Sequence, residues 1–451
     1  MPGTPRPISV STKQQRIAEL AREMPEAVLT SLSHHIDLDW MREAYRRTRK
    51  DGAVGIDGQS AKEFEANLEE NLEELLTLAK SGRYRAPAVR RVHIPKGDGS
   101  KHRPIGVPTF ADKVLQRAIV MALEPVYEQS FLDCSFGFRP GRSAHQALQA
   151  LWNGMMRMGG GWVLDVDIRS FFDELDRRQL QQILSQRVTD GVVRRLVGKW
   201  LNAGVMEAGR IQRPGSGTPQ GGVISPLLAN IYLHEALDLW FEREVLPRMR
   251  GRAFLVRYAD DAVLCFERED DARRVFDVLG KRLERFGLTL HPEKTRLVRF
   301  TRPTGKGGSG PREKAPRPGT FDLLGFTHYW GRSRKGRWVV KRRTSRKRFS
   351  RALRQLARWC RVARHLPVRD QHRLMVRKLR GHFAYYGITG NADALSRFRF
   401  QATRIWRKWL NRRSQRARMN WERFKRLLQR YPLPRPVVVH SVYRQLAKPC
   451  P

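Results

Sequence analysis

Apolar residues recur every three or four positions through several long stretches of the chain, which is the spacing of an amphipathic helix. The stretch 61–80 shows this pattern as a stripe of leucines. Near residue 225, a serine followed by a proline is typical of a helix start. The pattern predicts helices over 12–24, 38–48, 61–80, 110–126, 144–157, 225–243 and 269–286.

Two stretches near residue 100 predict a basic hairpin. Residues 90–96 and 101–108 have the composition of strands, and the glycine-rich residues 97–99 between them favour a tight turn. Lys96 and Arg103 stand on either side of the turn, where cations are suited to closing over a triphosphate. An edge hairpin with solvated charges explains the same residues, so the pattern leaves both interpretations open.

Two further strand patterns carry carboxylates. Residues 162–168 alternate in hydrophobicity, which places Asp167 and the acid two positions before it on one face of a strand. Residues 254–266 contain two apolar runs that meet at Asp260 and Asp261, which predicts a hairpin with both acids at its turn. Adjacent carboxylates repel each other, and a cation relieves that repulsion. The pattern predicts a metal site, with a solvated Asp-rich turn as the alternative.

If these patterns form neighbouring strands, Asp167 and Asp260 can share two divalent cations roughly 4 Å apart. Two Mg²⁺ ions so placed activate a 3′ hydroxyl and stabilise a leaving pyrophosphate, and Mn²⁺ is an alternative ion. Phe172 would then form the floor of the sugar pocket, with a core aromatic as the simpler interpretation. Lys294 is a candidate proton donor to pyrophosphate, and a solvated lysine is its alternative.

Two loops rich in glycine and proline are candidate nucleic-acid contacts. Arg139 and Arg142 lie in the loop at 135–143 and either hold a phosphate backbone or are ordinary surface arginines. In the loop that precedes residue 225, Gly221 and Gly222 would let the backbone lie against a base pair.

The positive charge is concentrated in the last third of the chain. The 451 residues carry a formal net charge of +43, which points to a polyanionic partner, nucleic acid before membrane. Residues 301–451 contain 41 Lys and Arg against 5 Asp and Glu. From Ser333 onward we predict a basic helical domain, with most of its tryptophans in the core. Its helices are expected over 344–364, 368–387, 391–412 and 417–430.

The cysteines and the hydropathy pattern bear on the compartment. No apolar run approaches the roughly 20 residues of a membrane span, and the N-terminus lacks the apolar core of a secretory signal. We therefore expect a protein of the bacterial cytoplasm or nucleoid with reduced thiols and no membrane partner. The cysteines, which show no paired spacing, are Cys134, Cys265, Cys360 and Cys450.

Taken together and in order, seven sequence blocks resemble those of the reverse transcriptase/maturases encoded by group II introns, over roughly residues 38–440. The blocks are Ile94-Pro95-Lys96 with Arg103-Pro104, Phe136-Gly137-Phe138-Arg139, Asp167-Ile168 with Phe171-Phe172-Asp173, Pro219-Gln220-Gly221-Gly222 with Ser225-Pro226-Leu227, Tyr258-Ala259-Asp260-Asp261, Leu288 with Lys294-Thr295, and Leu324-Gly325-Phe326.

The resemblance implies an α+β fold, a right-hand polymerase whose fingers and palm contain an antiparallel palm sheet, followed by an all-α thumb or maturase domain. It implies a polar N-terminal extension over 1–37, fingers and palm over 38–332, a thumb, also called the X domain, over 333–415, and a basic DNA-binding region over 416–451.

Carried over residue by residue, the resemblance also implies roles. The metal ligands are Asp167, Asp260, Asp261 and the carbonyl of Ile168, and the catalytic residues are these three acids with Lys294. The nucleotide contacts are Lys96, Arg103, Phe172, Gln220 and Gly221, and the primer grip is Leu324, Gly325 and Phe326. The basic residues that we expect to contact nucleic acid are Arg139, Arg142, Arg342, Arg343, Arg346, Lys347 and Arg348.

The implied function is an RNA-directed DNA polymerase that copies group II intron RNA from a target-DNA primer with dNTPs, and that binds the same RNA to assist splicing. Many relatives end in an HNH endonuclease, and the residues after 430 supply none, so we expect mobility to use a primer made elsewhere, for instance at a replication fork. The alternatives are a domesticated reverse transcriptase in DNA repair or phage defence, and a splicing factor that mainly binds RNA. Tyr258-Ala259 and the bulk of Phe172 disfavour an RNA-directed RNA polymerase.

Overall fold

The computed structural model describes residues 9–96, 101–207, 210–212, 221–303, 318–414 and 419–441. Contacts divide the chain into two compact units, the first formed by 1–147 and 164–297 and the second by 148–163 and 298–451. The predicted turn at 97–99, the side chain of Lys96 and Gln220 lie outside the described residues.

Helices account for most of the described secondary structure. No helix in the described ranges is long and apolar enough to cross a membrane. The helices are α1 (Val10–Glu23), α2 (Leu38–Arg47), α3 (Ala61–Ala66), α4 (Leu68–Ser81), α5 (Phe110–Tyr127), α6 (Ala144–Met158), α7 (Phe171–Glu174), α8 (Arg177–Ser185), α9 (Gly191–Leu201), α10 (Ser225–Leu233), α11 (Glu269–Glu284), α12 (Arg346–Val362), α13 (Val368–Tyr386), α14 (Ala392–Leu410) and α15 (Trp421–Arg430).

The strands form three sheets among the described residues, with strand orders β2-β1-β4-β5, β6-β7-β3-β8 and β11-β10-β9. The strands are β1 (Val89–Lys96), β2 (Lys101–Val107), β3 (Gly160–Asp167), β4 (Val205–Glu207), β5 (Arg210–Gln212), β6 (Ala253–Tyr258), β7 (Asp261–Phe266), β8 (Arg296–Thr301), β9 (Phe321–Leu323), β10 (Phe326–Arg332) and β11 (Trp338–Thr344).

Two of the predicted helices differ from the observed ones. The predicted helix 61–80 is divided into α3 and α4, because Asn67 between them has the non-helical dihedrals φ −125° and ψ 49°. The predicted helix 225–243 begins at Ser225, but its α-helical part ends at Leu233. The chain continues through π-helical turns over 234–238 and 241–245. Such turns are frequent near functional sites.

The two predicted hairpins of the first unit are confirmed. β1 and β2 are antiparallel, and Ile94 pairs with Arg103. β6 and β7 are antiparallel, and Tyr258 pairs with Asp261. The alternation predicted around residue 164 is also present, since Leu164 and Val166 are buried, whereas the acids on the other face are only half-buried.

The second unit combines α12 to α15 with the sheet of β9, β10 and β11. The helices pack around an apolar core that includes Met375, Leu395, Trp406 and Phe424. Trp406 is fully buried as expected, but Trp421 is 44% exposed.

The hairpin of β10 and β11 was missed, because the sequence pattern predicted only helices from residue 344 and no element over 333–343. β11 corrects the prediction that the chain beyond 332 is all-α. The predicted domain limit at 332/333 falls in the turn of this hairpin, and the four-part domain scheme stays a prediction.

Three cysteines fall within the described residues, and each has a free thiol. They are Cys134, Cys265 and Cys360, while Cys450 lies outside the described ranges.

Candidate active site

The predicted acids lie at the ends of neighbouring strands. Asp167 is the last residue of β3, and Asp261 is the first residue of β7, the strand next to β3 in the sheet. Asp260 lies in the turn between β6 and β7, after Ala259, whose φ of 57° is in the left-handed region. Asp167 and Asp260 are half-buried and Asp261 is exposed, so all three are accessible from solvent.

The loop at 134–138 packs against this turn. The Phe136 amide donates to the Arg257 carbonyl at 2.9 Å, and the Arg257 amide donates to the Cys134 carbonyl at 2.8 Å. A Cβ atom on Gly137 would overlap the backbone of Ala259, so the close approach requires glycine. Two of the predicted blocks, distant in sequence, therefore form one structural unit.

Arg257 is a fully buried cation that sequence reasoning missed. Its Nε and Nη2 donate to the Asp238 carboxylate at 2.7 and 2.5 Å, and its Nη1 donates to the Ala259 carbonyl at 3.1 Å. Burial by itself lowers the pKa of Arg257, but Asp238 raises the pKa above its ordinary value, so the guanidinium stays charged. An arginine inside an apolar strand was the available signal, because a buried charge needs a partner.

The network continues from Arg257 to the 134–138 loop. Arg257 Nη1 also donates to the Asn230 side-chain oxygen at 3.0 Å, and Asn230 Nδ2 donates to the Gly137 carbonyl at 2.6 Å. Burial raises the pKa of Asp238, but the charge and hydrogen bonds of Arg257 reverse this and leave the pKa below its ordinary value. The ionised pair fixes the backbone that leads into Asp260.

The backbone at Asp167 is held by the segment that follows α11. The His291 amide donates to the Asp167 carbonyl at 2.8 Å, and the Thr295 hydroxyl donates to the same oxygen at 3.2 Å. Lys294 Nζ lies 3.0 and 3.2 Å from the two carboxylate oxygens of Asp167. The structure thus brings the predicted Lys294 directly to the predicted metal ligand.

The neighbouring acid on β3 has a different partner. Arg296 Nε donates to Asp165 Oδ2 at 3.3 Å, in an ion pair on the same strand as Asp167. This placement agrees with leaving Asp165 out of the predicted ligand set.

The oxygen atoms at this site suit a hard divalent cation, since Mg²⁺ prefers carboxylate oxygens. Ile168 pairs with Leu290, but the two flanking hydrogen bonds are made by its neighbours, so the Ile168 carbonyl is not used in that pairing. Among the described residues, no group of three or more His, Cys, Asp or Glu side chains is arranged to hold a metal by itself. An ion here would take further ligands from water or phosphate.

The predicted nucleotide contacts are spread over three elements of the first unit. Arg103 is exposed on β2, and Phe172 is half-buried with its ring edge-on to Phe171 at 5.2 Å. Gly221 has a φ of 119°, and a Cβ atom there would clash with β2 at Ile105 and Gly106. The glycine loop therefore lies directly on the predicted finger.

The predicted primer grip forms a tight turn between β9 and β10. Leu324 and Gly325 have φ values of 50° and 82°, which is the pattern of a two-residue hairpin turn of type I′. Within the second unit, the Tyr385 hydroxyl donates to the Leu324 carbonyl at 2.9 Å, and the Ser345 amide donates to the Gly325 carbonyl at 2.9 Å. Phe326 is fully buried. The turn is thus fixed by the start of α12 and by α13.

Two predicted nucleic-acid contacts are buried, which corrects the role expected of them. Arg139 is 7% exposed, and its guanidinium donates to Glu128 at 2.9 Å and to the Leu132 carbonyl at 2.7 Å. Arg342 is 1% exposed, and its Nη1 donates to the Leu148 carbonyl at 3.2 Å. Neither guanidinium is accessible to a phosphate in this structure, so both stabilise the fold.

The other predicted basic contacts reach the surface. Arg142 is half-buried and pairs with the exposed Asp133 at 2.5 Å. Arg343 is exposed and lies over the Tyr329 ring at 5.1 Å. The first turn of α12 contains no acid, and its cations face the positive end of the helix dipole, where an anion is favoured. These exposed cations are Arg346, Lys347 and Arg348.

Comparisons with known proteins agree with this site. The profile of the family described as reverse transcriptase (RNA-dependent DNA polymerase) matches residues 94–328. Protein YkfC of Escherichia coli (strain K12) is 34% identical over 287 residues, which are 56% of this chain and 75% of that protein.

Two relatives have names that refer to introns. Group II intron-encoded protein LtrA of Lactococcus lactis subsp. cremoris is 31% identical over 302 residues, 64% of this chain and 50% of that protein. Nuclear intron maturase 2, mitochondrial, of Arabidopsis thaliana is 28% identical over 251 residues, 46% of this chain and 32% of that protein. The chain therefore spans half or less of these two relatives.

Proposed function

Since the chain belongs to the reverse transcriptase (RNA-dependent DNA polymerase) family, we propose that it copies RNA into DNA and also binds a group II intron RNA to assist splicing. The polymerase activity is supported above all by the position of Asp167 at the end of β3, beside the strand that begins after Asp260. Both acids are accessible and their backbones are held by buried or half-buried hydrogen bonds.

Asp167, Asp260 and Asp261, with the Ile168 carbonyl, would hold two divalent cations, Mg²⁺ or Mn²⁺. When bound, such ions favour ionisation of the primer 3′ hydroxyl and stabilise the charge of the leaving pyrophosphate. The chain orients the carboxylates through the buried Arg257 network at one strand end and the segment at 291–295 at the other. Lys294, which contacts Asp167, would donate a proton to the pyrophosphate.

The remaining site residues would bind the two substrates. Arg103 on the finger, together with Lys96, would contact the triphosphate, and Gln220 and Gly221 would lie against the nascent base pair. Phe172 would select a deoxyribose by leaving no room for a 2′ hydroxyl. The primer end would be held by the turn of Leu324, Gly325 and Phe326, with target DNA as the primer.

The splicing role would use the basic last third of the chain. We assign fingers and palm to 38–332, a thumb to 333–415 and a DNA-binding region to 416–451, after a polar extension over 1–37. The exposed cations at the start of α12 would contact intron RNA. Because this RNA binding does not need the carboxylates, the chain would work as a bacterial cytoplasmic or nucleoid protein with two separable activities.

The test is Asp260→Ala, measured in two assays. We expect primer extension on an RNA template to fall by at least about a thousandfold, because electrostatic stabilisation of the transition state is lost. Binding of intron RNA and splicing assistance should be unchanged. Asp270→Ala is the matched control, since this exposed acid lies on α11 away from the strand ends. Equal loss of both activities in a folded Asp260→Ala protein contradicts the proposal.

A further inference from the structure

A cavity of about 240 Å³ lies in the second unit between α14 and the segment that follows α15. One wall consists of residues from a single face of α14, and the other consists of Leu428, Pro432 and Leu433. Arg399 fixes the second wall, because its Nε donates to the Pro434 carbonyl at 3.1 Å. The α14 residues that line the cavity are Ser396, Arg399, Phe400 and Thr403.

Phe400 is the unusual member of this lining, since its side chain is 58% exposed while Phe398 beside it is buried. A single exposed apolar residue needs no explanation by itself. Here, however, the ring borders a cavity, and the Arg404 guanidinium lies 5.7 Å from its centre. An aromatic face with a neighbouring arginine is a stacking surface for a planar group.

The charge around the cavity favours an anionic ligand. None of the residues that line the cavity is acidic. In the sequence, residues 392–440 contain 14 Lys and Arg but only Asp393 and Glu422 as acids. A ligand with a planar ring and an attached negative charge satisfies both the stacking surface and this field.

We infer that this cavity takes one unpaired nucleobase of a bound RNA, which stacks on Phe400 while its phosphate lies among the arginines of α14. The polar groups of Ser396 and Thr403 face the cavity where base edges offer hydrogen-bond partners; the Thr403 hydroxyl donates to the Arg399 carbonyl at 2.8 Å, so its oxygen remains an acceptor. The inference rests on the proposed binding of RNA and adds a preference for unpaired over paired nucleotides.

The preference follows from access. A base inside a duplex is stacked on both faces, so it cannot also stack on a protein ring. A bulged or looped base presents a free face and needs no unstacking. The cavity should therefore discriminate between RNAs of equal length and charge that differ only in one unpaired nucleotide.

The experiment compares the full-length protein with Phe400→Ala and Phe400→Trp on two RNAs. One is a hairpin with a single bulged uridine, and the other is the same hairpin fully paired. For Phe400→Ala we expect roughly tenfold weaker binding to the bulged RNA, the size of one base–aromatic stack, and unchanged binding to the paired RNA. Phe400→Trp should bind as wild type. Val362→Ala is the matched control, because Val362 is 75% exposed on α12 and does not line the cavity.

A second measurement locates the base directly. With 4-thiouridine at the bulge, irradiation should crosslink the RNA to Phe400 or to another residue that lines the cavity. A Phe400→Ala protein that binds both RNAs as wild type, or weakens both equally, overturns the inference and leaves the surface to a protein partner. A wild-type protein that binds neither RNA overturns the proposed RNA binding itself, so the two failures are distinguishable.

Discussion

The ammonium group of Lys294 lies 3.0 Å from one carboxylate oxygen of Asp167 and 3.2 Å from the other. It therefore competes with any cation that binds this carboxylate. For Lys294→Met we expect half-maximal activity at a Mg²⁺ concentration lower by up to about fivefold, because an exposed ion pair contributes at most about 1 kcal/mol. The maximal rate should fall as well, since the proton donor to pyrophosphate is lost. Primer extension at graded Mg²⁺ concentrations measures both.

The control for this variant is Arg296→Met. Arg296 makes the equivalent ion pair with Asp165 on the same strand, at 3.3 Å, but Asp165 is outside the predicted ligand set. Its removal should leave the Mg²⁺ dependence unchanged. The same shift in both variants would mean that general electrostatics, and not competition at Asp167, sets the Mg²⁺ requirement.

Replacement of the buried arginine should separate stability from activity. Arg257→Met leaves Asp238 buried and unpaired, which we expect to lower the free energy of unfolding by about 3–5 kcal/mol. The double variant Arg257→Met/Asp238→Leu leaves no charge unpaired and should recover most of that loss. Its primer extension should stay low, because the Ala259 carbonyl has lost its donor. Denaturant unfolding and primer extension give the two readouts, and a double variant with full activity would show that the network does not position the turn.

Asp112 should make the stability depend on pH. Burial raises its pKa from 3.8 to about 6. Its Oδ1 accepts hydrogen bonds from Tyr84 and Trp200, and its buried Oδ2 has no partner among the described atoms. The folded protein thus holds the proton more tightly than the unfolded chain, so this group's contribution to stability is lost as the pH rises from about 4 to about 6.

Asp112→Asn removes this titration and keeps an acceptor for both donors. Its free energy of unfolding should rise relative to wild type by about 2–3 kcal/mol between pH 4 and pH 7, since one pKa unit corresponds to about 1.4 kcal/mol. Denaturant melts across this pH range measure the difference. Curves that stay parallel for the two proteins would show that Asp112 has an ordinary pKa.

The cations in the first turn of α12 should contribute to the salt dependence of RNA binding. For a variant with glutamine at Arg346, Lys347 and Arg348, we expect the slope of log K against log salt to fall in magnitude by about 2–3, since each phosphate contact contributes roughly 0.7–0.9. Filter binding between low and physiological salt measures the slope. The control replaces Arg46, Arg47 and Arg49, exposed cations already paired with Glu43 or Asp51. Equal effects in both variants would rule out a localised contact.

The local parts of this protein could be predicted because they depend on patterns within a few residues. Alternation placed Asp167 on the polar face of β3, and two apolar runs around Asp260 gave the hairpin of β6 and β7. The metal-site hypothesis needed only these strands and their acids. The turn at Leu324 was also predictable, as a break between apolar residues before a glycine.

The rest depends on tertiary environment, which no local pattern reports. Arg139 in a glycine and proline loop has the sequence of a phosphate contact, but the carboxylate of Glu128 and nearby carbonyls bury it. β11 was missed because its alternating valines lie among cations that suggested the basic helices beyond it. Arg257 was visible as a charge within an apolar strand, whereas its partner Asp238 could be found only from the fold.

The close approach of Gly137 to Ala259 has a consequence for protein engineering. A mutant library that varies the two blocks independently will contain almost no active members with a side chain at position 137, because even an alanine methyl would displace the acidic turn. Grafting the acid-bearing hairpin into another polymerase should fail unless the 134–138 loop is transferred with it. The transferable module of this enzyme is therefore discontinuous in sequence and includes residues far upstream of its acids.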